Sequence, residues 1–314
     1  MSFSTKVKKE LSERYSEDKH CNIAELAAIF NLCSVAQEGK KILKIQTENI
    51  FVAKKCFTLI KKAFNINVEI SIRKNKQLNK NRVYTIFIKD SVSIDNVLSA
   101  TGHKNTQALN VRYISSFIAN EFCCKRTYVR GAFLATGSIS NPNKNYHLEF
   151  VNASEDHAVQ LMDIINSFSL PMPLTAKITL RKDYFIVYLK DSEQIAHLLN
   201  IMQAHVSLME LENVRIIKDV RNSINRIVNC ETANLNKTVE ASVKQLEDIA
   251  FIRDKKGLSF LEPQLEEIAR VRLQNEYVSL KEIGQMLSPS VSKSGVNYRL
   301  RKIRDIAELL RRDI

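Results

Sequence analysis

Two groups of side chains in this sequence have the types and spacing to do chemistry. The first is His20, Cys21, Cys123 and Cys124, a set of zinc-ligand types that could gather into one site if their segments met. Adjacent cysteines rarely chelate one ion together, however, and the six cysteines (21, 33, 56, 123, 124 and 230) contain no CxxC pair and no regular framework. Ordinary reduced, buried thiols are therefore expected, with no metal and no cofactor. The second group lies near the C-terminus, where Ser294, Asn297, Tyr298 and Arg301 follow one another at helical spacing among Lys293, Arg299, Lys302 and Arg304. Hydroxyl, amide and guanidinium groups in that pattern can meet base edges in a DNA groove, while the surrounding cations can meet phosphates.

Such side chains need a helix to hold them. Val296, Leu300, Ile303, Ala307 and Leu310 recur at alternating steps of four and three, a single apolar stripe. Ser294, Tyr298 and Arg301 lie roughly opposite, with Asn297 on one flank and Lys302 on the other. Upstream, PQLEEIARVRLQN opens with Pro263 at a first-turn position. SLKEIGQML begins with Ser279 and Glu282 three apart, a capping box, and carries Leu280, Ile283 and Leu287 as its inner face. Supporting helix, short helix, the SPSVS turn and a basic amphipathic helix make the helix-turn-helix order over about 276–308, whose second helix enters the major groove. The turn is long for the class, and Ser288 stands where a glycine often sits. The same elements could instead form a three-helix bundle with a solvated basic face. Further upstream Asn222, Asn225 and Asn229 share one helical face, with Arg221 and Arg226 nearby, and that face could touch DNA or dock domains.

The rest of the chain repeats itself. The order helix, strand, helix, two strands, helix runs through CNIAELAAIFNLCSV, KILKIQTE, NIFVAKKCFTLIKKAF, NVEISIRK, RVYTIFIKDS and IDNVLSA. It returns through TYVRGAFLATGSI, YHLEFVNA, EDHAVQLMDIINSF, LTAKITLRK, DYFIVYLKDS and EQIAHLLNIM, with KDS recurring at 89–91 and 190–192. The strands are rich in β-branched and aromatic residues, and the helices can cover one face of each sheet. This predicts an α+β pseudo-dimer in residues 1–208, with a helical arm over about 1–18 and repeats over about 20–100 and 126–205. A helical linker and the helix-turn-helix domain then occupy 209–314. Between the last two strands of the first copy, RKNKQLNKNR carries Arg73, Lys74, Lys76, Lys80 and Arg82 and no acid. That hairpin tip could lie along a phosphate backbone or stand as a solvated loop.

Charge agrees with a polyanionic partner: 47 Lys and Arg against 34 Asp and Glu leave the 314-residue chain at +13. Nucleic acid leads, with an anionic membrane surface as the competitor. No run approaches the roughly 18 apolar residues of a spanning helix, and MSFSTKVKKELSERY lacks the apolar core of a secretory signal. A cytoplasmic, nucleoid-associated protein is expected, with no membrane partner.

RGAFLATGS resembles the motif of the LAGLIDADG homing endonucleases, and the likeness extends over roughly residues 20–205. In that family paired motif helices form the pseudo-dimer interface and hang catalytic acids at the base of a DNA-gripping β-saddle. Gly131, Ala132, Ala135 and Gly137 suit close helix packing. The family's penultimate motif residue is an acid that holds magnesium. Thr136 stands there in the second copy, and Leu32 or Cys33 in the first, which also lacks the terminal glycine. The resemblance implies a duplicated αββαββα pseudo-dimer without metal-holding acids, followed by an all-α helix-turn-helix domain. With NRIVNCETANLNKT, VSLKEIGQMLSPSVSKSGVNYRLRKI and CCKRTYVRGAFLATGS, the chain resembles the WhiA family along its whole length. That implies a non-enzymatic bacterial regulator of double-stranded DNA, linked to sporulation in some lineages and to cell division and chromosome segregation in others. Its first domain could also engage the transcription machinery or another regulator. Tyr298 stands where the family is expected to carry a His. Two rivals remain: an active metal-dependent endonuclease, and a scaffold or sensor working through the first domain.

Overall fold

The structure, a computed structural model of the chain, describes residues 1–35, 42–74, 82–102 and 114–312. It divides into two units, Met1–Lys218 and Asp219–Ile314. The first opens with helix α1 (Phe3–Ser12), which buries Phe3, Val7 and Leu11 at helical spacing. The first repeat follows as α2 (Lys19–Cys33), β1 (Ser34–Val35), β2 (Leu43–Thr47), α3 (Ile50–Phe64), β3 (Glu69–Lys74), β4 (Arg82–Ile88) and α4 (Ser91–Ala100). After a short α5 (Ser116–Asn120), which sequence reasoning did not anticipate, the order returns. It runs α6 (Phe122–Thr136), β5 (Gly137–Ile139), β6 (Leu148–Asn152), α7 (Glu155–Asn166), β7 (Lys177–Arg181), β8 (Tyr184–Leu189) and α8 (Ser192–Met202). The αββαββα duplication is thus realised in full.

Each repeat carries an antiparallel four-stranded sheet, ordered β1-β2-β4-β3 and β5-β6-β8-β7. The period-two alternation decides which face is covered. Ile45 opposite Ile86 and Leu43 opposite Ile88 turn inward, whereas Gln46 opposite Thr85 and Lys44 opposite Phe87 turn outward. The motif helices end earlier than their sequences suggest. GSI and SV, read as the last turns of helices, are the short strands β5 and β1. Gly137 and Ser34 both leave their helices in extended backbone, and at Gly137 the exit passes so near Phe133 that a Cβ would fall 2.4 Å from its ring and 2.6 Å from its Cα, so only glycine fits there.

Helices α2 and α6 pack face to face at the centre of the first unit. Gly131 makes this possible, since a Cβ there would lie 2.3 Å from the carbonyl oxygen of Glu25 and 3.0 Å from the Ala28 Cβ. Beside it the buried Glu25 carboxylate accepts two hydrogen bonds from Arg130, at 3.0 and 2.8 Å, and pairs with buried Lys55 at 3.2 Å. Two cations around one buried anion satisfy charges that would otherwise be very costly to desolvate. Burial outweighs the pull of Glu25 on Lys55 and lowers its ammonium to about 8.

The second unit takes in the rest of α9 (His205–Lys256), then α10 (Pro263–Gln274), α11 (Leu280–Met286) and α12 (Lys293–Arg312). Its core joins Ile249 and Ile252 of α9 to Leu265, Ile268, Ile283, Val296, Leu300, Ile303 and Ala307. Asn222, Asn225 and Asn229 are all exposed, as are Ile224, Ile227 and Val228.

Candidate nucleic-acid interface

The basic helix is positioned from beneath. Ser279 and Glu282 form the expected capping box, with Ser279 Oγ 2.7 Å from the Glu282 carboxylate and the Glu282 amide donating to Ser279 Oγ at 3.4 Å. Those bonds hold the Glu282 carboxyl below its usual range. The close approach in the turn comes not at Ser288 but at Gly284, inside α11, where a Cβ would sit 2.0 Å from the Val291 carbonyl oxygen. The Val291 amide donates to the Gly284 carbonyl at 2.8 Å, which folds the turn back onto α11 before α12 begins. Buried Arg272 donates to the Val278 carbonyl at 2.7 Å and braces the loop between α10 and α11, and burial lowers its pKa.

On α12 the apolar stripe is buried and the opposite side is open. Ser294, Tyr298, Arg301 and Lys302 are exposed, while Asn297 and Arg299 are partly covered. Lys302 lays its ammonium 5.4 Å from the centre of the Tyr298 ring, a cation–π contact on the outer surface. Ser294 Oγ lies 3.0 Å from Ser292 Oγ, which caps the helix by accepting from the Gly295 amide. The expected phosphate-facing cations differ in availability. Arg304 is engaged by Asp305 at 3.3 Å and Glu308 at 3.7 Å, whereas Lys293, Arg299 and Arg301 make no ion pair among the described residues. Sequence reasoning also left out Arg311, which pairs with Asp248 at 2.8 Å and lies 4.8 Å from the Phe251 ring, fastening the end of α12 to α9. Nothing in the spacing of α12 hints at a partner so far back in the chain.

The first unit presents the open faces of its sheets. In the first sheet Arg73 faces Val83, and Lys44 and Glu69 flank Phe87 from the two sides. Arg73 and Arg82 are exposed, and Lys74 stands opposite Arg82 in the register. Lys76 and Lys80 lie outside the described residues. In the second sheet Lys177 faces half-buried Tyr188 and Arg181 faces exposed Tyr184, while Thr179 faces buried Ile186. Glu69 is paired with Lys89 at 2.6 Å and Glu149 with His147 at 3.0 Å, so the acids on these faces are already engaged.

A cleft of about 670 Å³ opens where the motif helices end, lined by Leu32, Cys33, Ala135 and Thr136 together with Gln46, Thr47, Glu48, Asn49, Val83 and Tyr184. The equivalent helix ends Cys33–Ser34 and Thr136–Gly137 make Cys33 the counterpart of Thr136 and Leu32 that of Ala135 in the duplication. The cleft also holds Lys8 of α1, which sequence reasoning missed because a lysine on an amphipathic arm carries no motif. Burial lowers its ammonium to about 8, against a smaller opposing pull from Cys33.

Family comparison matches three segments: the WhiA N-terminal LAGLIDADG-like domain over residues 19–102, the WhiA LAGLIDADG-like domain over 125–221 and the WhiA C-terminal HTH domain over 224–307. A protein of Alkaliphilus oremlandii described as "Probable cell division protein WhiA" is 46% identical, across 99% of this chain and 98% of its own length. A protein of the same description from Lachnoclostridium phytofermentans is 48% identical, across 99% and 100%. The crystal structure of full-length DUF199/WhiA from Thermatoga maritima shares the fold, with a TM-score of 0.61 at 24% identity over 98% of each chain. Among the described residues no helix is long and apolar enough to cross a membrane.

Proposed function

The chain belongs to the WhiA family, and from that premise we propose that it is a sequence-specific regulator of double-stranded DNA whose nuclease fold serves only to hold the duplex. The observation that carries this reading is the open face of α12. It carries Ser294, Tyr298 and an Arg301 guanidinium with no ion-pair partner among the described residues, while the buried stripe locks the helix onto α10 and α11. In the major groove Ser294, Asn297, Tyr298 and Arg301 meet base edges, and Lys293, Arg299 and Lys302 meet phosphates. Arg304 joins them once it leaves its acidic neighbours. Arg73, Lys74, Lys76, Lys80 and Arg82 of the first unit, with Lys44, Lys177 and Arg181, supply further phosphate contacts without sequence preference.

Hydrolysis of a phosphodiester by this fold needs carboxylates where the motif helices end, to hold the divalent ion. Cys33 and Thr136 stand at those ends and the Lys8 ammonium enters the same cleft, a cation where a metal would need anions. The relatives' description supplies cell division as the setting, and the role proposed within it is regulation of the genes involved, with chromosome segregation, and sporulation in some lineages. Two readouts test the proposal on the full chain. Selection from random duplexes should return one enriched motif, and supercoiled plasmid should stay intact in magnesium or manganese. Nicking that copurifies with the protein and disappears in Glu48→Gln or Glu149→Gln would establish the rival endonuclease.

A further inference from the structure

At the starts of the paired helices, remote from the cleft, His20 and Cys21 of α2 meet Cys123 and Cys124 of α6. One ligand atom from each of the four lies within 4.8 Å of all the others, and His20 Nε2 is 3.4 Å from Cys123 Sγ. The two pairs are equivalent under the internal duplication. With α2 starting at Lys19 and α6 at Phe122, His20 and Cys123 are the second residues of their helices and Cys21 and Cys124 the third. The second residues are half-buried and the third are buried, the same pattern on both sides. We propose that this cluster is a Cys3His site for a single zinc ion that fastens α2 to α6.

The geometry fits the ion. Tetrahedral zinc with bonds of about 2.3 Å to sulfur and about 2.0 Å to nitrogen needs its ligand atoms roughly 3.5 to 3.8 Å apart, and a cluster spanning 4.8 Å reaches that by side-chain adjustment alone. The difficulty with adjacent cysteines is that neighbouring side chains on one helix diverge. It is lifted here because the ion lies between two helix starts, so that residues from both helices flank it. Charge fits as well. Three thiolates and a neutral imidazole around a divalent cation leave one net negative charge. Both helices point their N-terminal ends at it, and neither cap residue, Asp18 or Glu121, makes a side-chain bond to the free amides of the first turn. Each thiol gives its proton to solvent as it binds, and the imidazole binds in its neutral form.

Four protein ligands close the coordination sphere, so the site holds structure and activates no water. It sits roughly 20 Å along the interface from the cleft, the length of a 15-residue helix. A bond made there fixes the crossing of α2 and α6 without touching the surfaces assigned to DNA.

The test uses the full chain purified under reducing conditions without chelator. Elemental analysis should find one zinc per chain. After stripping, cobalt(II) should restore the ligand-field and thiolate charge-transfer bands of a tetrahedral Cys3His centre, and chelator should lower Tm. Cys123→Ser and His20→Ala, at the two half-buried positions, should weaken cobalt binding by at least ~10-fold, with circular dichroism checking that each stays folded. Cys33→Ser and Cys230→Ser should bind as the parent does. The proposal is overturned if the reduced, folded chain takes up no tetrahedral cobalt, or if Cys123→Ser binds it unchanged. It is also overturned if the cluster proves to be a disulfide between α2 and α6 whose reduction opens no metal site.

Discussion

Gly131 is the point at which the internal duplication is most tightly specified. A methyl group there would push into the Glu25 carbonyl at 2.3 Å, and Glu25 is itself gripped by Arg130 and Lys55. Gly131→Ala is therefore expected to destabilise the first unit by about 1–3 kcal/mol, the usual cost of overpacking, visible as a lower midpoint in urea. An unchanged midpoint would mean that α2 and α6 can separate freely. Lys8 gives a pH-dependent counterpart. Its folded pKa of about 8 lies below the ordinary 10.5, so between those values the unfolded chain binds more protons than the folded one. That contribution to stability rises with pH across this window, and below pH 8 the full penalty is in force. Lys8→Met should thus raise Tm at pH 7 and flatten the climb from pH 8 to 10.5 relative to the parent; parallel curves would show that Lys8 is not desolvated in the cleft.

Among the elements, α12 and its supports are the most legible in the sequence. Strict apolar steps from Val296 to Ala307, a proline at Pro263 and the Ser279–Glu282 box are local signals, and each is realised in the fold. The ends of the motif helices are less legible. GSI looks helical until Phe133 is known to pack against Gly137, and Val35 joins a strand only because Lys44 is there to pair with it. Both facts depend on long-range or folded-state contacts that spacing does not carry. His20, Cys21, Cys123 and Cys124 stand out in the sequence as one set of ligand types, but whether they converge depends on how two helices cross, which spacing does not carry. The two sides of α12 make separable claims. Arg301→Ala should weaken the selected site by ~1–3 kcal/mol and leave a scrambled duplex almost unaffected, as a base-edge contact does. Lys302→Ala should weaken both duplexes alike. Fluorescence anisotropy on the paired duplexes decides, and identical patterns for the two variants would show the faces to be wrongly assigned.

In the whole molecule, the proposed function assigns different labour to the two units, phosphate contacts to the basic sheets of Met1–Lys218 and sequence reading to α12 of Asp219–Ile314. Most of the net charge of +13 lies in the first unit, since residues 219–314 carry 17 Lys and Arg against 14 Asp and Glu, and net charge alone does not say which part would read sequence and which would only hold phosphates. That division is tested most sharply by the affinity of the full chain and of a 219–314 fragment for the selected and the scrambled duplex, each across a salt series. The fragment should keep the preference for the selected site but bind more weakly. Its log affinity should fall less steeply against log salt, by about 0.9 for each phosphate that the first unit neutralises in the full chain. Equal affinities and equal slopes for the two proteins, or a fragment with no preference between the duplexes, would contradict the division of labour.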